Sequence, residues 1–137
     1  MPKFGKGSLA QLETVHDDLS KIAEVLIRYY DFTVVCGFRN EQQQNEAYEK
    51  GFSTKKWPKS MHNKYPSLAM DCVPYPSMWE DKDKLLIMSG LIIGVAINLF
   101  EEGRICHLIR WGGDWNRNWE IKDEKFFDVA HFELVSV

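Results

Sequence analysis

Leu9, Leu12, Val15, Leu19, Ile22, Leu26 and Tyr29 recur every three or four positions at the start of the chain. That spacing places them on one face of a helix over roughly 8–29, with a break near His16–Asp17 where the polar "HDD" falls. Ser8 followed by Gln11 has the form of a capping box that would start this helix. The pattern then changes. "DFTVVCG" (31–37) is rich in β-branched and aromatic residues and ends on a glycine, which predicts a strand. Asn40 can cap a second helix through "EQQQNEAYEK", and Gly51 can end it. Residues 52–67, with Pro58 and Pro66, read as loop, and a strand around 68–74 stops at Pro74 and Pro76. A long apolar helix covers about 81–102. "RICHLIRW" (104–111) and "AHFELVSV" (130–137) predict two more strands, separated by a polar loop. The sum is an α+β fold in one domain, 1–137: a small, largely antiparallel sheet with helices packed on one face and the candidate metal site at the sheet.

The apolar run "LLIMSGLIIGVAINLF" (85–100) is the only membrane candidate. It is shorter than the roughly 20 residues a span needs, and Ser89, Gly90, Gly94 and Asn98 interrupt it. The expectation is a buried core helix and no membrane insertion. With 137 residues, 45% apolar and 27% charged, the composition is that of a soluble globular domain. A net charge of −3 gives no broad basic surface, so nucleic acid is not an expected partner. The N-terminus lacks the continuous apolar core of a secretory signal. Cys36, Cys72 and Cys106 are an odd number without CxxC spacing, which argues against a disulfide framework and a thiolate zinc site. Each lies in an apolar run, so buried reduced thiols in a reducing cytoplasm are expected.

Candidate chemistry starts at "SMHNKYPSLAMDCVPY" (60–75). Asp71 opens an apolar run, and burying a carboxylate is costly unless a cation or hydrogen-bond donors meet it. A metal ion shared with His62 and with His131, in "FFDVAHFELV", would meet it. Two imidazoles and one carboxylate with a fourth position open make up a catalytic rather than a structural zinc site. The alternative is that His131 is a hydrogen-bonded core histidine and Asp71 a turn or cap residue. Asp128, three residues before His131, is placed to act as general base, with Glu133 as its competitor or as a support for His131. Arg39 could stabilise an anionic intermediate or hold a substrate carboxylate, and Gln43, one helical turn on, could brace it or bind substrate.

The set "GFRNEQQQ", "SMH…AMD" and "DVAHFEL" resembles the zinc D-alanyl-D-alanine carboxypeptidase family of VanX and VanY type, closest to the single-domain L-alanyl-D-glutamate peptidases that serve as phage endolysins. The likeness extends to "KFGKGSLAQLETV" and to "RWGGDWN" (110–116), and so to essentially the whole chain. It implies zinc on His62, Asp71 and His131, Asp128 as catalytic acid and base, Arg39 as the family's arginine and Ser60 near the substrate. It implies hydrolysis of a peptidoglycan stem peptide by a monomer, which would wait in the host cytoplasm until a separate pore protein opens the way to the wall. Cleavage at D-alanyl-D-alanine, or a non-catalytic wall-binding module, are the alternatives. One departure stands out: the family has six residues between His and Asp, whereas "NKYPSLAM" has eight, which puts the shape of the substrate rim in question.

"DWNRNWE" (114–120) carries oxygens on Asp114, Asn116, Asn118 and Glu120, like the start of a calcium loop. It lacks the glycine at position six and the acid at position twelve, where Lys125 stands, so a polar turn is the plainer reading. Related phage endolysins keep a regulatory calcium site there in view. His107 reads as a core or edge histidine on a strand face, and His16 as solvated. Cys72 should point away from Asp71's face. Trp111, Trp115 and Trp119 could line a peptide groove or pack on the sheet.

Overall fold

The break in the first periodic run divides it into α1 (Lys6–Leu12) and α2 (Asp17–Leu26) in the computed structural model, which describes residues 1–136. His16 starts α2: its Nδ1 accepts from the Asp18 backbone N–H at 3.0 Å, so the partly exposed ring also serves as the helix cap. Ser8 and Gln11 are not what the capping-box pattern suggests. Helix α1 begins at Lys6 behind Gly5, without a side-chain cap. Ser8 Oγ instead accepts from Val34 N (3.0 Å) and Gln11 Oε1 from Gly37 N (2.9 Å). Both acceptors serve strand β1 (Phe32–Cys36) or the residue after it. An edge strand has N–H groups with no neighbouring strand to receive them, and two polar side chains one turn apart on α1 fill that need.

Four antiparallel strands form one sheet in the order β1, β2 (Ala69–Pro74), β4 (His131–Val135), β3 (Leu108–Trp111). Helix α3 (Glu41–Glu49) follows β1. It is capped reciprocally by Asn40 and Gln43 and ends at Gly51, whose φ of +80° suits a residue without Cβ. Helix α4 (Lys82–Glu101) lies against β2, β3 and α2. Alternation along the strands sends Met70, Cys72, Phe132 and Leu134 into the core beneath α2 and α4. The residues between them, Asp71, His131 and Glu133, are left for the opposite face. Each core side chain of this size contributes about 1.5–3 kcal/mol through burial, so the sheet's position under the site is firmly held.

Three expectations change. The strand expected from residue 104 starts only at Leu108, because Cys106 N and His107 Nδ1 are drawn to Asp18 Oδ2 at 2.9 and 2.7 Å. His107 therefore lies outside any strand face. Of the three thiols Cys72 alone is buried, while Cys36 is half-buried and Cys106 exposed. Helix α4, long and apolar enough to cross a membrane by length and composition, is buried on one side only. Leu85, Met88, Ile92 and Ala96 face inward, while Leu86, Ile87, Leu91 and Ile97 face out.

Candidate active site

Asp71 and His131 are direct cross-strand partners on β2 and β4. His62 arrives from a short 3₁₀ turn, Met61–Asn63, capped by Ser60, whose Oγ accepts from His62 N at 3.2 Å. The turn is fixed to the sheet by its histidine: Nδ1 lies 2.7 Å from the Gly37 carbonyl. Any side chain at Gly37 would overlap Thr14 Oγ1, the Gln11 carbonyl and Val15, so glycine is required for the end of α1 and the segment after it to close on this position.

The hydrogen bonds decide which ring nitrogens are free. A carbonyl can only accept, so His62 Nδ1 carries a hydrogen and Nε2 is the atom that presents a lone pair when the ring is neutral. His131 Nε2 is 2.7 Å from Glu133 Oε1, so that nitrogen donates and Nδ1 is free. Glu133 is held in turn by Arg110, whose Nε and Nη2 donate to Oε2 at 3.1 and 2.9 Å across the β3–β4 pair. His62 Nε2, His131 Nδ1 and Asp71 Oδ1 then face one another at 3.2, 3.2 and 3.3 Å, three converging atoms that a proton or a metal ion can bridge. A tetrahedron with edges of that length has its centre about 2.0 Å from each corner, which is the length of a zinc–nitrogen or zinc–oxygen bond. The donor set fits a zinc ion.

The charges agree with the geometry. Burial opposes a charged His62, yet the Asp71 carboxylate outweighs it and lifts the imidazole pKa to about 10. His131 is also raised, burial being overcome by Asp71 and Glu133. For Asp71, burial is overcome by the two imidazoles, and its pKa falls far below the carboxylate range. The cluster attracts a positive charge, whether proton or metal.

Arg39 does not reach into open space. Its Nη2 donates to Asp71 Oδ2 at 3.1 Å and its Nη1 to Gln44 Oε1 at 3.4 Å, so it holds the ligand carboxylate by the oxygen turned away from the triangle, while still lining the cleft. The bracing glutamine is Gln44, not Gln43, which is spent on the α3 cap. Gln44 is fully buried. It also accepts from Asn63 Nδ2 (3.0 Å) and donates to Lys55 O (2.7 Å) and Ser53 Oγ (3.0 Å). Three consecutive glutamines give no pattern that selects it, and Arg110 was hidden because strand pairing is not written locally.

Asp128 stands at the edge of the triangle, its carboxylate within 4.8 Å of ligand atoms of Asp71 and His131. Its turn is clamped to Gly112: Asp128 N donates to Gly112 O and Gly112 N to His131 O, both at 2.8 Å. Gly112 lies so close to the Asp128 carbonyl that no Cβ fits. Burial, then the Asp71 charge, raise the Asp128 pKa to about 6, against the pull of His131, His62 and Arg39. A base with that pKa works near neutral pH.

One wall of the cleft is formed by 52–55 with Ser60 and Met61, the other by Trp115 and Phe126. The Trp115 ring lies 5.2 Å from the His131 ring, and its Nε1 donates to Phe126 O at 2.6 Å. Trp111 packs into the core and Trp119 is exposed. In the longer His62–Asp71 connection Tyr65 packs edge-on against Phe38, and neither ring is among the residues that line the cleft.

Farther out, Asp114 accepts from Asn118 N (3.1 Å) and Trp119 N (2.8 Å), and Asn118 Oδ1 accepts from Glu120 N (2.9 Å). Asn116 Oδ1 accepts from Asn118 N at 3.3 Å. The polar turn is thus held by its own backbone. The cluster of His16, Asp18 and His107 is likewise satisfied internally, since His16 Nδ1 and Asp18 Oδ2 already accept from backbone N–H groups.

Residues 1–135 match a family model described as phage L-alanyl-D-glutamate peptidase. The L-alanyl-D-glutamate peptidase of Escherichia phage T5 is 32% identical over 148 residues, covering 97% of this chain and 98% of that protein. The crystal structure of the Serratia marcescens L-Ala D-Glu endopeptidase ChiX shares the fold, with a TM-score of 0.72 at 24% identity over 96% of this chain and 89% of that one.

Proposed function

Because the chain belongs to the phage L-alanyl-D-glutamate peptidase family, we propose that it is a zinc peptidase hydrolysing the bond between L-alanine and D-glutamate in peptidoglycan stem peptides. The observation that carries the zinc reading is the triangle of His62 Nε2, His131 Nδ1 and Asp71 Oδ1, the atoms that the neutral rings and the carboxylate would offer to a metal. The names of the relatives support this bond over D-alanyl-D-alanine.

His62, Asp71 and His131 would hold the zinc, which would supply Lewis acidity toward water and the scissile carbonyl. Asp128 takes the proton of the attacking water and returns it to the leaving amine. Arg39 keeps Asp71 Oδ1 turned to the metal through the hydrogen bond to Oδ2, and its charge beside the cleft favours the developing oxyanion. Glu133 and Arg110 fix the His131 ring and its tautomer. Ser60 borders the cleft with a hydroxyl that already accepts from His62 N, leaving its hydrogen for substrate. In this reading the enzyme is a monomeric endolysin that reaches the host wall from the host cytoplasm through a pore made by another protein. Calcium on Asp114, Asn116, Asn118 and Glu120 would regulate it through the loop that carries Trp115.

Mass spectrometry of muropeptides after digestion tests the reading. New termini at L-alanine and D-glutamate are expected, and termini at another bond, or none, would overturn it.

A further inference from the structure

A glutamate inside a peptide uses one carboxyl group for the chain and keeps the other free. When the bond before it is cut, its nitrogen leaves, and the free carboxylate is only a few bonds from the reacting centre. A cleft that already holds Asp128 and Glu133 must give that carboxylate a counter-charge, or repel it. The question is which cation is available.

Besides histidines, the cationic residues lining the cleft are Arg39 and Lys55. Arg39 is engaged with Asp71 Oδ2 and Gln44 Oε1. Lys56, next along the wall, lies over the Tyr48 ring at 5.0 Å. Lys55 is exposed and makes no ion pair among the described residues, although Asp123 and Glu124 border the adjoining groove with it. Its backbone is unusually well fixed for a loop residue: the N–H donates to Ser53 Oγ at 3.1 Å, and the carbonyl accepts from buried Gln44 at 2.7 Å. Gln44 also contacts Arg39 and Asn63, so the wall that carries Lys55 is tied to the residues behind the metal ligands.

We propose that Lys55 is the specificity residue that receives the free carboxylate of the glutamate on the leaving side of the scissile bond. This rests on the peptidase reading above and adds the group that distinguishes glutamate from its amide. The ammonium would pair with the carboxylate at the mouth of the cleft, held at the right depth by the Gln44 anchor and free to move only along its own stem. The contribution is electrostatic, so it weakens with salt.

Two synthetic stem peptides test this, identical except that the glutamate's free carboxyl group is left as carboxylate in one and converted to the primary amide in the other. Wild type, Lys55→Met and Lys55→Arg, each loaded with zinc, are compared on both. Lys55→Met should raise KM about tenfold on the carboxylate peptide with kcat little changed, while its KM on the amide peptide stays at the wild-type value. Lys55→Arg should recover most of the loss, and the wild-type preference for carboxylate should shrink as salt is raised. Equal losses on both peptides, or no loss on either, would overturn the assignment while leaving the peptidase reading intact. A wild type that cleaves neither peptide would remove both.

Discussion

At pH 7.5 the metal-free protein should carry a proton on His62, because the Asp71 carboxylate at 3.2 Å lifts that pKa to about 10. Zinc needs the neutral imidazole, so binding should release about one proton or more. Calorimetry in buffers of different ionisation enthalpy reads this directly, and a binding heat independent of buffer would contradict it. Asp71, depressed far below neutrality, contributes nothing to the release. The second residue-level expectation concerns Asp128, whose pKa is raised to about 6. A base must be deprotonated to act, so activity should fall as pH drops through that value; a bound dication shifts the limb lower. Asp128→Asn should keep zinc and fold but lose roughly 10²–10⁴-fold in turnover, whereas His131→Ala should lose the metal. Glu133→Gln, acting through the His131 ring, should cost less. Near-normal activity in Asp128→Asn would mean that another group is the base. With twenty acidic residues in the chain, residue type alone does not select His62, Asp71, Asp128 and His131; they stand out through the motifs that carry the family resemblance, and the structure gathers them at one place. Gln44 and Arg110 do not stand out: their importance comes from what they touch, and that depends on the folded neighbours.

At the level of elements, the helices and strands were readable from periodicity, and most of the errors share one cause. Ser8, Gln11 and His107 each make a hydrogen bond across elements that overrides the local pattern. A capping box is a local rule, and α1 has an edge strand to satisfy instead. Gly112 shows what such a cross-element contact can control. With its backbone against that of Asp128, Gly112→Ala should displace the 128–131 turn, reducing activity well before it unfolds the protein. Circular dichroism close to wild type with at least about tenfold lower kcat is the expected pair of results, since a small displacement of a reacting group can cost that much or more; unchanged kcat would show that the turn tolerates the shift. The 114–120 turn gives an independent test. If its oxygens exchange their backbone N–H partners for calcium, millimolar calcium should raise activity and protect 112–125 from hydrogen exchange. Calorimetry without calcium binding, together with unchanged activity, would exclude the role.

Across the whole molecule, His62, Asp71 and His131 join a turn to two central strands, so a zinc ion held by them would be a cross-link as well as a reagent. Zinc at a hundredfold excess over its Kd should add about 2.7 kcal/mol of stability. A chelator should therefore lower Tm by several degrees and restore it on zinc addition; a Tm insensitive to both would show that the site forms no such link. The α+β architecture was evident from the order of patterns alone. The order β1-β2-β4-β3 was not, because pairing between residues 60 positions apart has no local signature.

The two walls of the cleft come from separate loops, 52–61 and 112–128, while Asp71 and His131 sit on central strands and His62 on the turn that Gly37 receives. Each wall hangs from the frame at a few hydrogen bonds: Gln44 to Lys55 and Ser53 on one side, Gly112 to the 128–131 turn on the other. Those bonds amount to sockets. A loop of different length or lining that preserves them could be exchanged into the scaffold, changing which peptide is cut while the hydrolytic machinery stays in place.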